Sequence, residues 1–157
     1  HLAAQAPEGV VVEEVQIGDL PLYTQDLDSE SIPAYERVRA QLQAADAVLI
    51  VSPEHNRSMP AAVKNLLDIA SRPAGKSLWG GKKTAVITAS PGSYGGINSG
   101  LHIRQSLQAM SADVMIAPEV FLSRAHTALA DGQVSDARTA AFLNKFAAAF
   151  YGWAQAE

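Results

Sequence analysis

Ala47-Val48-Leu49-Ile50-Val51, followed at once by Ser52-Pro53-Glu54-His55-Asn56-Arg57-Ser58-Met59-Pro60, is the stretch on which the fold turns. Its first part is apolar without alternation. A strand with one wet face alternates, so an unbroken run fits a strand covered on both faces, as in a parallel sheet between helix layers. Its second part is a polar loop closed by proline. Pro60 opens a helical pattern in which Val63, Leu66, Leu67 and Ala70 share one face. The same unit then repeats. Thr84 to Ala89 reads as a second buried strand, Ser90 to Ser99 as a loop rich in Gly and Ser, and Ile103, Leu107 and Met110 as the apolar side of the next helix.

Upstream, Ile32, Tyr35, Val38, Leu42 and Ala45 recur at helical spacing, with Pro33 in the permissive first turn. Val10 to Ile17 is β-branched and partly charged, and predicts a strand near a sheet edge. Asp19 to Ser31 reads as a polar loop. His1 to Ala6 reads as the last turns of a helix, stopped by Pro7 and Gly9. Downstream, Pro73 to Gly81 is a loop. Val114 to Phe121 predicts a strand whose Pro118 suits an edge, Asp131-Gly132 marks a turn, and Leu143, Phe146, Phe150 and Trp153 mark a final helix. This alternation predicts the α/β class: a doubly wound parallel sheet in a three-layer α/β/α sandwich, as one domain over residues 1–157.

Composition narrows the function. Apolar residues make up 48% and charged residues 18%, as in a globular chain, and the net charge of −4 argues for neither nucleic acid nor an anionic membrane as partner. No cysteine occurs, so disulfides, thiolate catalysis and cysteine-ligated metal are excluded. His1, His55, His102 and His126 are too scattered to suggest a metal site. The longest apolar stretch, Ala44 to Val51, is broken by Asp46 and too short to span a bilayer. No secretory leader pattern opens the sequence, and a cytoplasmic protein is expected.

In open α/β sheets, ligands bind beyond the carboxyl ends of the strands. The loops 52–60 and 90–96 both occupy such positions, each before a helix N-terminus where free N–H groups favour electron-rich atoms. Gly92, Gly95 and Gly96 would let the backbone approach a flat ring, with its electron-accepting edge served by backbone donors. The same features have plainer readings. Glycine loops often only turn the chain, Pro53 and Pro60 punctuate loops, Asn56 and Ser58 suit helix caps, and Arg57 suits solvent. Tyr94 could stack on a ring or cover the loop. Asp19, Asp26, Asp28 and Glu30 read first as a solvated loop.

These residues also carry a resemblance. Pro53-Glu54-His55-Asn56-Arg57-Ser58-Met59-Pro60, continued by Ala61-Ala62-Val63-Lys64-Asn65-Leu66-Leu67-Asp68, resembles the P-E-Y-N-x-S-x-P-x-x-L-K-N-x-x-D signature of NADPH-dependent FMN reductases, the flavodoxin-like family of bacterial chromate and quinone reductases. Leu20-Pro21-Leu22-Tyr23, Gly81-Lys82, Ser90-Pro91-Gly92 with Gly95-Gly96, and His102-Ile103-Arg104-Gln105 extend it along the chain. The resemblance implies bound FMN. Pro53, Glu54, His55 and Asn56 would lie along the ring, with Ser90, Pro91, Gly92, Ser93 and Gly95 at its other edge. It implies NAD(P)H as hydride donor and quinones, azo compounds, chromate-type oxyanions or free flavin as acceptors. It also implies a homodimer or homotetramer and no catalytic side chain, because the flavin carries the chemistry. A flavodoxin-type electron-transfer module and a flavin-free interaction module are the competing readings. The sequence departs from the family at His55, where Tyr is usual, and at Asn98 and Leu101, where some members have Arg and Tyr. The family also begins with a strand and a G-S-L-R-x-x-S-x-N loop for the FMN phosphate, and this sequence starts after that point. In the expected 2-1-3-4-5 order that strand separates Val10–Ile17 from Ala47–Val51. Without it, orphaned backbone groups at about 1–3 kcal/mol each would weigh against a total stability of about 5–15 kcal/mol. The natural protein is therefore expected to hold those residues, and a polypeptide lacking them to bind FMN weakly or not at all.

Overall fold

A computed structural model describes residues 1–156. Helix α1 (Pro33–Ala44) leads into strand β1 (Ala47–Ser52), α2 (Ala61–Ser71) into β2 (Lys83–Ala89), and α3 (Ile97–Ala109) into the short strands β3 (Asp113–Val114) and β4 (Val120–Leu122). A one-turn helix α4 (Ala125–Ala128) and a small hairpin, β5 (Leu129–Ala130) with β6 (Gln133–Val134), precede the long α5 (Ala137–Gln155). The main sheet is parallel. β2 is central, paired with β1 from Ala47↔Lys83 to Ser52↔Thr88 and, on its other side, with β3 near its start and β4 near its end.

Parallel pairing buries both faces, and the pattern along β2 shows it. Val86 joins one core with Val38 and Leu42 of α1, Leu66 and Leu67 of α2, and Ile103 and Leu107 of α3. Its neighbours Ala85 and Ile87 face the opposite way, into a second core with Leu143, Phe146 and Phe150 of α5. The doubly wound parallel α/β arrangement predicted from the buried runs is present, with α1, α2 and α3 over one face and α5 over the other. Trp79 lies in the loop 73–81 yet is fully buried, and its Nε1 donates to the Leu67 carbonyl at 3.0 Å. Sequence reading had no signal to take this loop residue into the core.

Three elements differ from expectation. Val10 to Ile17 forms no strand among the described residues; Val15 and Ile17 pack on the first core while Val11 is 91% exposed. β-propensity cannot make a strand without a neighbour to receive its N–H and C=O groups. β1 likewise has no ladder partner on its outer side among the described residues. The predicted strand Val114–Phe121 is split into β3 and β4, because Pro118, after a cis peptide bond, cannot donate to the ladder. Arg104 of α3 holds the gap, donating to the Met115 carbonyl at 2.7 Å; burial lowers its pKa, and Glu119 lies 3.9 Å from its Nε. At the N-terminus, one 3₁₀ turn, Ala3–Gln5, stands where helix was expected.

The Leu20-Pro21-Leu22-Tyr23 segment lies along α2. Buried Asn65 accepts from the Tyr23 amide at 2.8 Å and donates to the Pro21 carbonyl at 2.9 Å and the Leu20 carbonyl at 3.4 Å. Asp28 is not merely solvated: it meets Arg72 at 2.9 Å and accepts from the Tyr23 hydroxyl at 3.0 Å. Burial, then the Asp28 bond, raises the Tyr23 pKa.

Candidate functional site

The loops after β1 and β2 stand side by side, because those strands are parallel neighbours. In the first loop His55 and Ser58 exchange both backbone bonds, at 3.0 and 2.9 Å. The two-residue turn between them places Asn56 at φ +49° and Arg57 at φ +65°. That is the type I′ geometry of tight hairpins, which Asn tolerates and Arg resists by about 1–2 kcal/mol. The Arg57 guanidinium lies 5.2 Å from the ring centre of Tyr94, so the tip of the first loop meets the second.

The second loop is tied down from below. The Ser90 amide donates to the Leu122 carbonyl, and the amides of Arg124 and Ala125 to the carbonyls of Gly92 and Ser90, each at 3.0 Å. The Thr88 hydroxyl donates to the Gly95 carbonyl at 2.7 Å. Gly95 has φ +62°, and a Cβ there would stand 2.4 Å from the Phe121 carbonyl oxygen. Its glycine is thus required by close approach to β4. Gly92 is different: a Cβ there would meet only the Ser90 hydroxyl, at 3.5 Å.

Pro53, His55, Asn56, Pro91, Gly92 and Ser93 are exposed, Glu54 and Ser90 half-buried, and Gly95 buried. The exposed set forms an open shelf at the carboxyl ends of β1 and β2. Among the described residues no acceptor faces the amides of Asn56, Ser93 or Tyr94. Free backbone donors on an open shelf fit a flat ligand with a carbonyl-bearing edge, as an isoalloxazine ring is. The Glu54 carboxylate is engaged elsewhere, on the first turn of α3. Ser58 and His102 were not candidates in the sequence, yet Ser58 Oγ lies 2.9 Å from His102 Nδ1 and joins the first loop to α3. Two concavities lie away from the shelf: a groove of about 410 Å³ between Asp113–Ala117 and Trp153, and a cleft of about 150 Å³ beside Tyr23 and Arg72. Among the described residues no group of His, Asp and Glu converges as metal ligands, and no helix is long and apolar enough to cross a membrane.

A parallel α/β sheet with two donor-bearing loops at adjacent strand ends is an arrangement able to hold a planar, acceptor-rich ligand. The chain belongs to the NADPH-dependent FMN reductase family, whose sequence model matches residues 1–127. It is 41% identical over 153 residues to a quinone reductase of Pseudomonas putida, covering 97% of this chain and 82% of that one. It is 38% identical to a 2-hydroxy-1,4-benzoquinone reductase of a Burkholderia species, covering 97% and 84%. Among solved structures, the flavoenzyme NAD(P)H:(acceptor) oxidoreductase FerB of Paracoccus denitrificans superposes with a TM-score of 0.88 at 36% identity, covering 98% of this chain and 85% of that one. Membership makes the protein an oxidoreductase with FMN as cofactor and NAD(P)H as co-substrate.

Proposed function

We propose that this enzyme reduces quinones with NAD(P)H, using FMN held between the loops 52–60 and 90–96. The observation that carries the reading is the set of unpaired amides at Asn56, Ser93 and Tyr94 on the open shelf. FMN held there would supply the two-electron redox chemistry between the nicotinamide hydride and the acceptor. The protein's part is to bind and orient. The amides would serve the ring edge, Pro53, His55 and Asn56 would line one side, and Ser90, Pro91, Gly92 and Ser93 the other. Glu54 and Gly95 act from behind these surfaces. No side chain serves as acid or base.

Quinones head the acceptor list, because the relatives from Pseudomonas and Burkholderia are named for them. Azo compounds, chromate-type oxyanions and free flavin are further acceptors, since an exposed ring face discriminates weakly. The chain acts as one domain over residues 1–157, in the cytoplasm, as a homodimer or homotetramer. Mixing the protein with FMN and NADPH and following nicotinamide absorbance tests the function. Oxidation that accelerates on adding a quinone is expected. Bound flavin without quinone-stimulated oxidation would refute the reductase reading.

A further inference from the structure

We propose that Glu54 is a positioning residue, whose carboxylate locks the loop after β1 to the first turn of α3 and thereby fixes the separation of the two ring-facing loops. Its Oε2 accepts from the amides of Asn98 at 2.9 Å and Ser99 at 3.2 Å. A helix leaves its first N–H groups without internal partners, and its N-terminus favours negative charge. Gly96 caps α3 without a side chain, so no capping residue of its own serves those groups. Glu54 reaches across from the other loop to do so.

The contact is buttressed. A Cβ on Gly96 would stand 3.6 Å from the Glu54 Cβ and 3.0 Å from the Thr88 Cβ, so the helix start rests against the stem of Glu54 and the end of β2. The buried hydroxyls of Ser52 and Ser99 lie 3.4 Å apart, and Ser58 lies 2.9 Å from His102 one turn further along α3. The first loop is therefore tied to α3 before, at and after Glu54. Among these ties, only that of Glu54 carries charge to the end of a helix. It also satisfies the amides that α3 would otherwise offer to a ligand, leaving the loop amides of Asn56, Ser93 and Tyr94 to meet the cofactor. The proposal rests on FMN sitting between these loops.

The test uses E54A, E54Q, N98P and the E54A/N98P double variant. Amide hydrogen exchange at Ser99 is followed in flavin-free protein, and FMN affinity by quenching of flavin fluorescence at a temperature where circular dichroism shows each variant folded. E54A should speed exchange at Ser99 and raise the FMN Kd, each by about tenfold or more, as loss of charge-assisted hydrogen bonds dictates. E54Q keeps the shape and one acceptor oxygen, and should restore the Kd to within about fivefold of wild type. N98P removes one of the two donors at a helix position that tolerates proline, and should raise the Kd less than E54A does, with little further loss in the double variant. Faster exchange in E54A with an unchanged Kd would show a role confined to folding and overturn the proposal. So would unchanged exchange, or E54A and N98P effects that simply add. If E54A does not fold, N98P decides alone: it should raise the FMN Kd severalfold, and a folded N98P with an unchanged Kd would overturn the proposal. Full-length wild-type protein that binds no flavin overturns the functional reading and, with it, this proposal.

Discussion

The two glycines Gly92 and Gly95 serve different ends, and one substitution at each separates fold from site. Gly95→Ala puts a side chain at φ +62° and a Cβ 2.4 Å from the Phe121 oxygen, 2.5 Å from its carbonyl carbon and 3.0 Å from the Ser123 amide nitrogen. All three are backbone atoms of β4 and its flank, which cannot rotate away. The left-handed conformation costs about 1–2 kcal/mol and the forced displacement about 1–3 kcal/mol, so a loss of about 3 kcal/mol is expected. For a chain of this size that lowers the Tm by about 6–12 °C. Gly92→Ala meets only the Ser90 hydroxyl at 3.5 Å, and its stability should stay within about 0.5 kcal/mol of wild type. Its added methyl projects from the shelf, so FMN affinity should fall while the fold holds. Urea unfolding of the flavin-free proteins, with flavin titration alongside, reads both. A Gly95→Ala protein as stable as wild type would refute the reasoning about β4. A Gly92→Ala protein with unaltered flavin affinity would remove Gly92 from the shelf's contact surface.

Asn65→Ala should cost about 2–4 kcal/mol by urea unfolding and open the segment 19–31 to protease, because one buried amide group ties down the backbone of Leu20, Pro21 and Tyr23. Trp79→Phe should cost about 1–2 kcal/mol, read in the same way, by losing the Nε1 bond to the Leu67 carbonyl and part of the buried ring's packing. Asp136 caps α5 by accepting from the Thr139 amide at 2.7 Å, and its hydrogen bonds to Thr139 hold its carboxyl below the usual range. A depressed carboxylate pKa stabilises above the unfolded value, roughly 4, and that stabilisation fades as pH falls through the folded value. The Tm gap between wild type and Asp136→Ala should therefore be widest near neutrality and narrow in acid; a gap that widens in acid would contradict the cap.

Much of the fold was legible because burial writes itself into sequence. Ala47–Val51 is an unbroken apolar run and Thr84–Ala89 a run interrupted only by threonine, and both are strands of the parallel sheet. The Asp131-Gly132 turn also stands where it was read, with φ of +50° and +74° joining β5 to β6. Val10–Ile17 misled because β-branched composition records a preference, while a strand needs a partner that composition does not report. Val114–Phe121 misled because the ladder tolerates Pro118 only by breaking there. The positions of the two loops were legible as strand–loop–helix junctions, and the exposure of Pro53, His55, Asn56 and Ser93 matches them. The roles of Glu54, Ser58 and His102 were not legible, since their partners lie some 44 residues away in sequence. Gly95 shows the same limit: it was read as room for a ring, and its closest neighbour is the β4 backbone.

The most direct test of the account is a crystal structure of the full-length protein saturated with FMN. The ring should lie on the shelf between the His55–Asn56 turn and the Pro91–Ser93 segment, its carbonyl edge within hydrogen-bond distance of at least one of the Asn56, Ser93 and Tyr94 amides. Flavin in the groove beside Trp153, or on the shelf with those amides unengaged, would contradict it.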